Sequence, residues 1–128
     1  MSKHERILLD GPAGAIEVFF EAPPQAVGIA LIAHPHPLFG GSADNKVVTT
    51  LARVFRDLGC ATLRPNFRGV GASAGEHDHG IAETGDLAAV VDRLAAEDPA
   101  RPIVLAGFSL GGNQLVKWLG ERGDDLPA

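Results

Sequence analysis

Residues 102–112 read PIVLAGFSLGG, and this stretch decides the fold of the chain. It opens with the apolar run Ile103 to Ala106, which is typical of a buried parallel strand. The run continues into a G-x-S-x-G pattern made of Gly107, Phe108, Ser109, Leu110 and Gly111. An amphipathic pattern follows, so the motif has the strand, sharp turn and helix context of a nucleophile elbow. The alternative is a Gly-rich strand–helix turn with an incidental serine.

The elbow interpretation explains why small residues flank Ser109. A serine in such a turn is held in a strained backbone conformation, and a side chain at Gly107 or Gly111 would collide where strand and helix meet. The hydroxyl then projects beside a helix N-terminus, whose N–H groups stabilise developing negative charge.

Composition limits the function classes. The 128 residues suffice for one domain, with 45% hydrophobic and 21% charged residues, as in an ordinary globular protein. A net charge of −5 and an aromatic content of 5% argue against nucleic-acid binding. The charged N-terminus is not followed by the apolar core of a signal peptide. The longest apolar run is too short to span a bilayer. We therefore expect no membrane association and a cytoplasmic location. Cys60 is expected to be a buried thiol.

Hydrophobic patterns predict alternating strands and helices. Apolar residues at helical spacing predict a helix over residues 47–58 and a second helix with an apolar face from Leu87 to Leu94. Strands are predicted at residues 6–9, 15–20, 27–33, 60–63 and 102–107. This alternation favours an α/β fold with a mostly parallel sheet and helices on both faces.

Three further blocks carry a resemblance to the α/β-hydrolase superfamily. All three resemble a subgroup of small bacterial hydrolases. They are HPHPLFGGSADNKVV (residues 34–48), NFRGVGASAGE (66–76) and DHGI (78–81) with Glu83 and Thr84. Residues 107–127 resemble a neighbouring group of predicted esterases. The resemblance implies a single, partial α/β-hydrolase domain over residues 1–128 that lacks the C-terminal strands.

The resemblance also implies a serine hydrolase of esterase type acting on a small acyl substrate, without a cofactor. Ser109 would be the nucleophile, and the N–H groups of Leu110 and His36 would form the oxyanion hole. Since Pro35 and Pro37 carry no N–H, His36 is the one donor between them. The alternative for this loop is a structural His-Pro turn whose imidazoles bind backbone groups.

The general base of such a site is absent from its usual place. In this superfamily the acid and the histidine follow the serine, but only 19 residues follow Ser109 and none is a histidine. We therefore expect impaired catalysis from a chain that is truncated after the elbow helix. A substitute base among His34, His36, His77 and His79 is the less favoured alternative.

Other motifs favour structural roles. The run His77-Asp78-His79 raises the question of a metal site, but the residues around it lack ligand spacing, so a solvated loop is favoured. The glycines of residues 69–75 miss the phosphate-binding spacing, which predicts a tight loop over the sheet, anchored by Arg68. Asp44 and Asn45 suit the capping of a helix start.

A second function class is a non-catalytic module that folds or dimerises without turnover. The strand order of the superfamily that the chain resembles implies that the elbow strand, residues 102–107, lies at a sheet edge next to the strand of residues 27–33, because the later strands are absent. It is apolar and has no lysine to guard it. We expect either a homodimer joined through this edge or an aggregation-prone monomer.

Overall fold

The computed structural model describes residues 3–34, 41–78, 81–107 and 119–120. Over these ranges the chain forms, in order, β1 (Lys3–Gly11), β2 (Gly14–Ala22), β3 (Ile29–Ala33), α1 (Lys46–Asp57), β4 (Ala61–Pro65), α2 (Glu83–Glu97) and β5 (Ile103–Gly107). The predicted order of strands and helices is confirmed for these elements. The helix predicted after the elbow lies outside the described residues, apart from Leu119 and Gly120, which are helical.

The five strands form one mixed sheet in the order β1-β2-β4-β3-β5. β3 is parallel to β4 and to β5, as the alternation of strands and helices predicts. β2 runs antiparallel to both of its neighbours, β1 and β4. The antiparallel part arises because β1 and β2 are joined by a tight turn at Pro12 and Ala13, and such a turn can only join antiparallel strands.

The hairpin strands are longer than their sequence pattern predicts. Each has nine residues, and pairing runs from Lys3 opposite Ala22 to Gly11 opposite Gly14. The hydrophobic alternation identifies only the middle of these strands, because most of their end residues are polar or glycine. Continuous pairing between the strands extends the ladder past that pattern.

The two helices lie on opposite faces of the sheet. Successive residues of β3 point to opposite faces: Leu31 and Ala33 pack in the core that includes Leu87 and Val90 of α2. Ile32 packs with Val48 and Ala52 of α1 on the other face. All of β3 is buried, which confirms a strand covered on both sides, although Val27 before it is 66% exposed. Burying a side chain such as Leu31 stabilises the fold by about 1.5–3 kcal/mol.

Local capping residues set the ends of α1. The Asn45 side chain accepts hydrogen bonds from the N–H groups of Val47 and Val48, which satisfies donors that the first helical turn leaves unpaired. Gly59 follows the C-cap residue Leu58 with a φ of +93°, a conformation that favours glycine. The predicted capping by Asn45 and the predicted helix stop at Gly59 are both confirmed. Cys60, next in the chain, is buried as expected.

β5 lies at the edge of the sheet. Among the strands in the described residues it pairs with β3 and with no other, which confirms the predicted position of the elbow strand. In the same part of the chain, no helix is long and apolar enough to cross a membrane.

Candidate active site

The parallel strands end together at one edge of the sheet. Ala33, the last residue of β3, is the register partner of Gly107, the last residue of β5. Leu31 pairs with Leu63 of β4, so β4 ends at the same level. In open α/β sheets, ligands bind in the crevice outside such carboxyl ends. The residues that follow each strand here are therefore the candidates for a functional site.

Of the predicted site residues, Gly107 lies within the described residues, as the last residue of β5. Ser109, Leu110, Gly111 and His36 lie outside them, so their assigned roles stay predictions. The register of β5 against β3 places Gly107 at the edge of the sheet where β3 also ends. Ser109 is the second residue after Gly107 in the sequence.

His34 is fully buried at this edge and has a structural partner. Its Nε2 accepts a hydrogen bond from the backbone N–H of Phe67 at 3.0 Å, and its ring packs edge-on against the Phe67 ring. An Nε2 that accepts from an amide carries no proton, which fixes the neutral Nδ1–H tautomer. His34 therefore does not meet the requirements of a substitute base, because its basic nitrogen is already occupied by a backbone donor.

Arg68 and Asp86 form a buried ion pair that anchors the loop after β4. Asp86, 1% exposed, accepts from the Arg68 backbone N–H at 2.9 Å, from Nε at 3.1 Å and from Nη2 at 2.9 Å. Hydrogen bonding to this carboxylate raises the pKa of the Arg68 guanidinium further above its usual value. The predicted role of Arg68 as the anchor of this loop is confirmed.

His77 does not belong to a solvated loop, contrary to expectation. Its side chain is 16% exposed, and its Nδ1 lies 2.8 Å from Oε2 of Glu83, which is fully buried. The same carboxylate oxygen accepts the backbone N–H of Asp78 at 2.9 Å. The sequence pattern does not reveal this pair, because a carboxylate in the first turn of a helix can turn back onto the preceding loop. In the described residues, no group of three or more His, Cys, Asp or Glu side chains could hold a metal ion.

Glu17, in the middle of β2, is a second buried carboxylate that the sequence did not reveal. It is 6% exposed and accepts from the Ala72 backbone N–H at 3.0 Å, from Asn66 Nδ2 at 2.8 Å and from Arg6 Nε. The Ala72 hydrogen bond, with those from Arg6 and Asn66, outweighs the effect of burial and lowers the pKa of Glu17. Glu17 thus remains ionised beneath the loop that follows β4.

Comparison with known proteins agrees with this geometry. Residues 38–128 match the family described as serine aminopeptidase, S33. The chain belongs to the serine aminopeptidase S33 family. This S33 chain is 42% identical to a solved α/β serine hydrolase homologue from Coxiella burnetii, with a TM-score of 0.86 over 93% of its residues. It is 39% identical to a solved α/β serine hydrolase without a lid from Xanthomonas campestris, also with a TM-score of 0.86 over 93% of its residues.

A curated relative, an uncharacterized protein of Rickettsia prowazekii, is 42% identical over 108 residues, or 83% of this S33 chain. The chain spans about half the length of these relatives: 45% of the Rickettsia protein, 58% of the Coxiella structure and 56% of the Xanthomonas structure. The resemblance to α/β hydrolases is confirmed, and the chain is a member of a serine hydrolase family with an α/β-hydrolase fold.

Proposed function

We propose that this chain carries the nucleophile half of a serine hydrolase of esterase type. Ser109 attacks the acyl carbon, and the N–H groups of Leu110 and His36 stabilise the oxyanion. The observation that supports this most is the pairing of Ala33 with Gly107, which brings the ends of β3 and β5 to one edge. The G-x-S-x-G motif follows β5, and the His-Pro loop follows β3, as an acyl-transfer site of this type requires.

The buried carboxylates of the described residues are already engaged by protein donors. An aminopeptidase binds the charged α-ammonium group of its substrate, which calls for an acidic partner. Glu17, Glu83 and Asp86 are the buried acidic residues at this edge in the described part of the chain. Each accepts hydrogen bonds from protein donors. These three carboxylates are therefore not proposed as an ammonium-binding group, and the proposed substrate is an acyl ester, as the resemblance to esterases implies.

The 128-residue chain is expected to react slowly. No histidine follows Ser109 in this sequence, and the Nε2 of His34 is occupied. If none of His36, His77 and His79 acts as the base, the oxyanion hole and binding alone leave a rate several powers of ten below that of a complete triad.

Labelling by a fluorophosphonate tests the assignment of Ser109. Peptide mapping by mass spectrometry should place the phosphonyl group on Ser109, and Ser109→Ala should abolish it. Hydrolysis of a p-nitrophenyl acyl ester and of the matched α-aminoacyl p-nitrophenyl ester should both be slow, with no advantage, relative to the uncatalysed rates, from the ammonium group. Labelling should be slow because the serine lacks its usual base, and labelling that maps to another residue or persists in Ser109→Ala would contradict the assignment. Rapid ester turnover that Ser109→Ala abolishes would instead show that the chain contains its own base.

The β5 edge supports a second candidate, association of two copies. In the described residues, β5 is hydrogen-bonded on one side only, and Val104, its second residue, is 40% exposed. An apolar edge without a charged residue is a template for pairing with another strand. Sedimentation at micromolar concentration should show a dimer, and Val104→Lys should convert it to a monomer. A wild-type chain that sediments as a compact, soluble monomer would rule this out.

A further inference from the structure

A small cleft lies between the β1–β2 hairpin and β4. Its volume is about 250 Å³, and its lining includes Arg6, Phe19, Glu21 and Arg64. Leu63 packs in the core beside α2, so strand alternation turns the next residue, Arg64, to the face of the sheet that carries α1. On that face α1 packs on β3 and β4, whereas the hairpin beside them is open and Arg6 is 50% exposed. Small-molecule sites usually measure about 300–1,000 Å³, so this cleft fits a ligand of only a few atoms.

The strand register places two arginines on either side of Phe19. Arg6 of β1 pairs with Phe19 of β2, and Phe19 pairs with Arg64 of β4. Residues directly opposite each other in a sheet lie on the same face, so the three side chains form one row across the cleft. Because neighbouring strands are about 4.8 Å apart, the Cα atoms of the two arginines are separated by about 10 Å. Two arginine side chains can reach one small ligand over that distance.

Arg64 is held by contacts that leave part of its guanidinium group unused. Its Nη1 donates to the Ala43 carbonyl, and its guanidinium carbon lies 5.3 Å from the centre of the Phe19 ring, in a cation–π contact. Asp44 Oδ1 is 3.5 Å from the same nitrogen, but the Asp44 side chain is 79% exposed, so solvent screens this pair. In the described residues, Nε and Nη2 of Arg64 have no hydrogen-bond partner. These two nitrogens form the edge of a guanidinium that binds a carboxylate or phosphoryl group in a bidentate manner.

Arg6 is fixed in a similar way from the other side of the row. Its Nε donates to Glu17, whose side chain is buried. Within the part of the chain that the structure describes, the two terminal nitrogens of Arg6 have no hydrogen-bond partner. Both guanidinium groups are thus positioned by protein contacts before a ligand arrives, which lowers the entropy cost of binding.

The other carboxylates around the cleft do not oppose a negative ligand. Glu21 accepts from Arg56 Nη1 at 3.2 Å and lies 3.7 Å from Nε2 of His4, so its charge is compensated. Glu5 also borders the cleft, but its register partner Phe20 packs against the core beside α2. Strand alternation therefore directs the Glu5 side chain to the opposite face of the sheet.

We propose that the cleft binds a small anion that carries a carboxylate or phosphoryl group. The Nε–Nη2 edge of Arg64 binds the oxygen atoms of the anion, and the terminal nitrogens of Arg6 donate to it from β1. Charge-assisted hydrogen bonds from two planar guanidinium groups favour such an oxygen-bearing group over a spherical ion. The chain as a whole has a formal charge of −5, which repels anions, so binding has to come from this local arrangement. The site is independent of the function proposed for Ser109.

An NMR titration of the arginine Nε–H groups in the full chain tests this site. Sodium phosphate and sodium acetate are the probes and sodium chloride is the reference, all at a constant ionic strength of about 0.15 M. Phosphate or acetate should shift the Arg64 and Arg6 signals along a saturable curve with a Kd of about 1–10 mM, and chloride should not. The anion that binds more tightly identifies the ligand group as phosphoryl or carboxylate. If neither anion gives a saturable shift up to about 50 mM, or if chloride gives the same shift, the proposal is wrong.

Substitutions separate the geometry of the site from its charge. Arg64→Lys keeps the positive charge but lacks the planar edge, so the affinity for the anion should fall at least about tenfold. Arg93→Ala is the matched control, because it removes an exposed arginine paired with Glu97 on α2, and it should change the Kd by less than about twofold. Circular dichroism checks that each variant is folded, and Arg6→Lys, expected to weaken binding at least about threefold, gives the same comparison from β1. Folded Arg64→Lys and Arg6→Lys chains that bind as tightly as wild type, or an equal loss in Arg93→Ala, would overturn the proposal.

Discussion

Replacing Asp86 by alanine tests how much the fold depends on the ion pair that anchors the loop after β4. The substitution removes the acceptor of three hydrogen bonds from Arg68, made at 2.9, 3.1 and 2.9 Å. It leaves a guanidinium whose side chain is only 14% exposed, together with a backbone N–H that has lost its partner. Breaking a buried ion pair in this way destabilises a protein by about 3–5 kcal/mol.

Urea unfolding followed by circular dichroism measures this loss. If the free energy of unfolding falls by about 4 kcal/mol and depends on urea with a slope of about 2 kcal/mol per M, the urea midpoint of unfolding should fall by about 2 M. Glu97→Ala is the matched control on the same helix, since it removes an exposed i,i+4 partner of Arg93, and it should leave the midpoint unchanged.

The double variant Arg68→Met/Asp86→Leu decides the physical reason for the loss. It removes both charges and should recover much of the stability that Asp86→Ala loses, because no buried charge is left without a partner. A midpoint for Asp86→Ala within about 0.3 M of wild type, less than about 1 kcal/mol, would refute the reasoning. Equal loss in the single and double variants would do the same.

Two further predictions concern Glu17 and Asn45. Because the folded state lowers the pKa of Glu17 from 4.5, its ionised form stabilises the fold above that pH, and this contribution is lost as the pH falls through the lowered value. At about pH 7 the wild-type chain should therefore unfold at a higher urea concentration than Glu17→Gln, and this difference in midpoint should shrink towards about pH 3. A difference in midpoint that does not depend on pH would contradict this reasoning. Asn45→Ala should destabilise the chain by about 1 kcal/mol in the same assay, since it removes the N-cap acceptor of α1, whereas Asn45→Asp should retain most of the stability. Equal midpoints for Asn45→Ala and wild type would show that the cap is dispensable.

The elements that the sequence predicts well are those whose signals are local. The helix α1 follows from apolar residues at helical spacing, from the capping side chain of Asn45 and from Gly59, all within or next to the helix. The buried strand β3 follows from a continuous apolar run. The position of β5 at the edge beside β3 is not local, and the resemblance to a known fold supplied it.

The polar residues that anchor the loop after β4 were not predictable in the same way. His77 and Glu83 lie in a polar stretch whose composition is that of a solvated loop, yet Glu83 is fully buried. Composition cannot distinguish the two cases, because burial depends on how the loop folds back onto α2. Arg68 was identified as an anchor, but its partner Asp86 lies 18 residues further along the chain and carries no motif of its own.

Glu17 shows most clearly where the local pattern stops being informative. It stands between Ile16 and Val18, so strand alternation places its side chain on the face opposite theirs, the polar side of a half-buried strand. That face is covered at Glu17 because the loop after β4 crosses it, with contacts to Asn66 and Ala72 that span 49 and 55 residues of sequence. The G-x-S-x-G motif can be recognised from five adjacent residues because its chemistry is local. The hydrogen bonds that hold the buried Glu17 carboxylate depend instead on residues brought together only by the fold, and in this chain they belong to β1, to β2 and to the loop after β4.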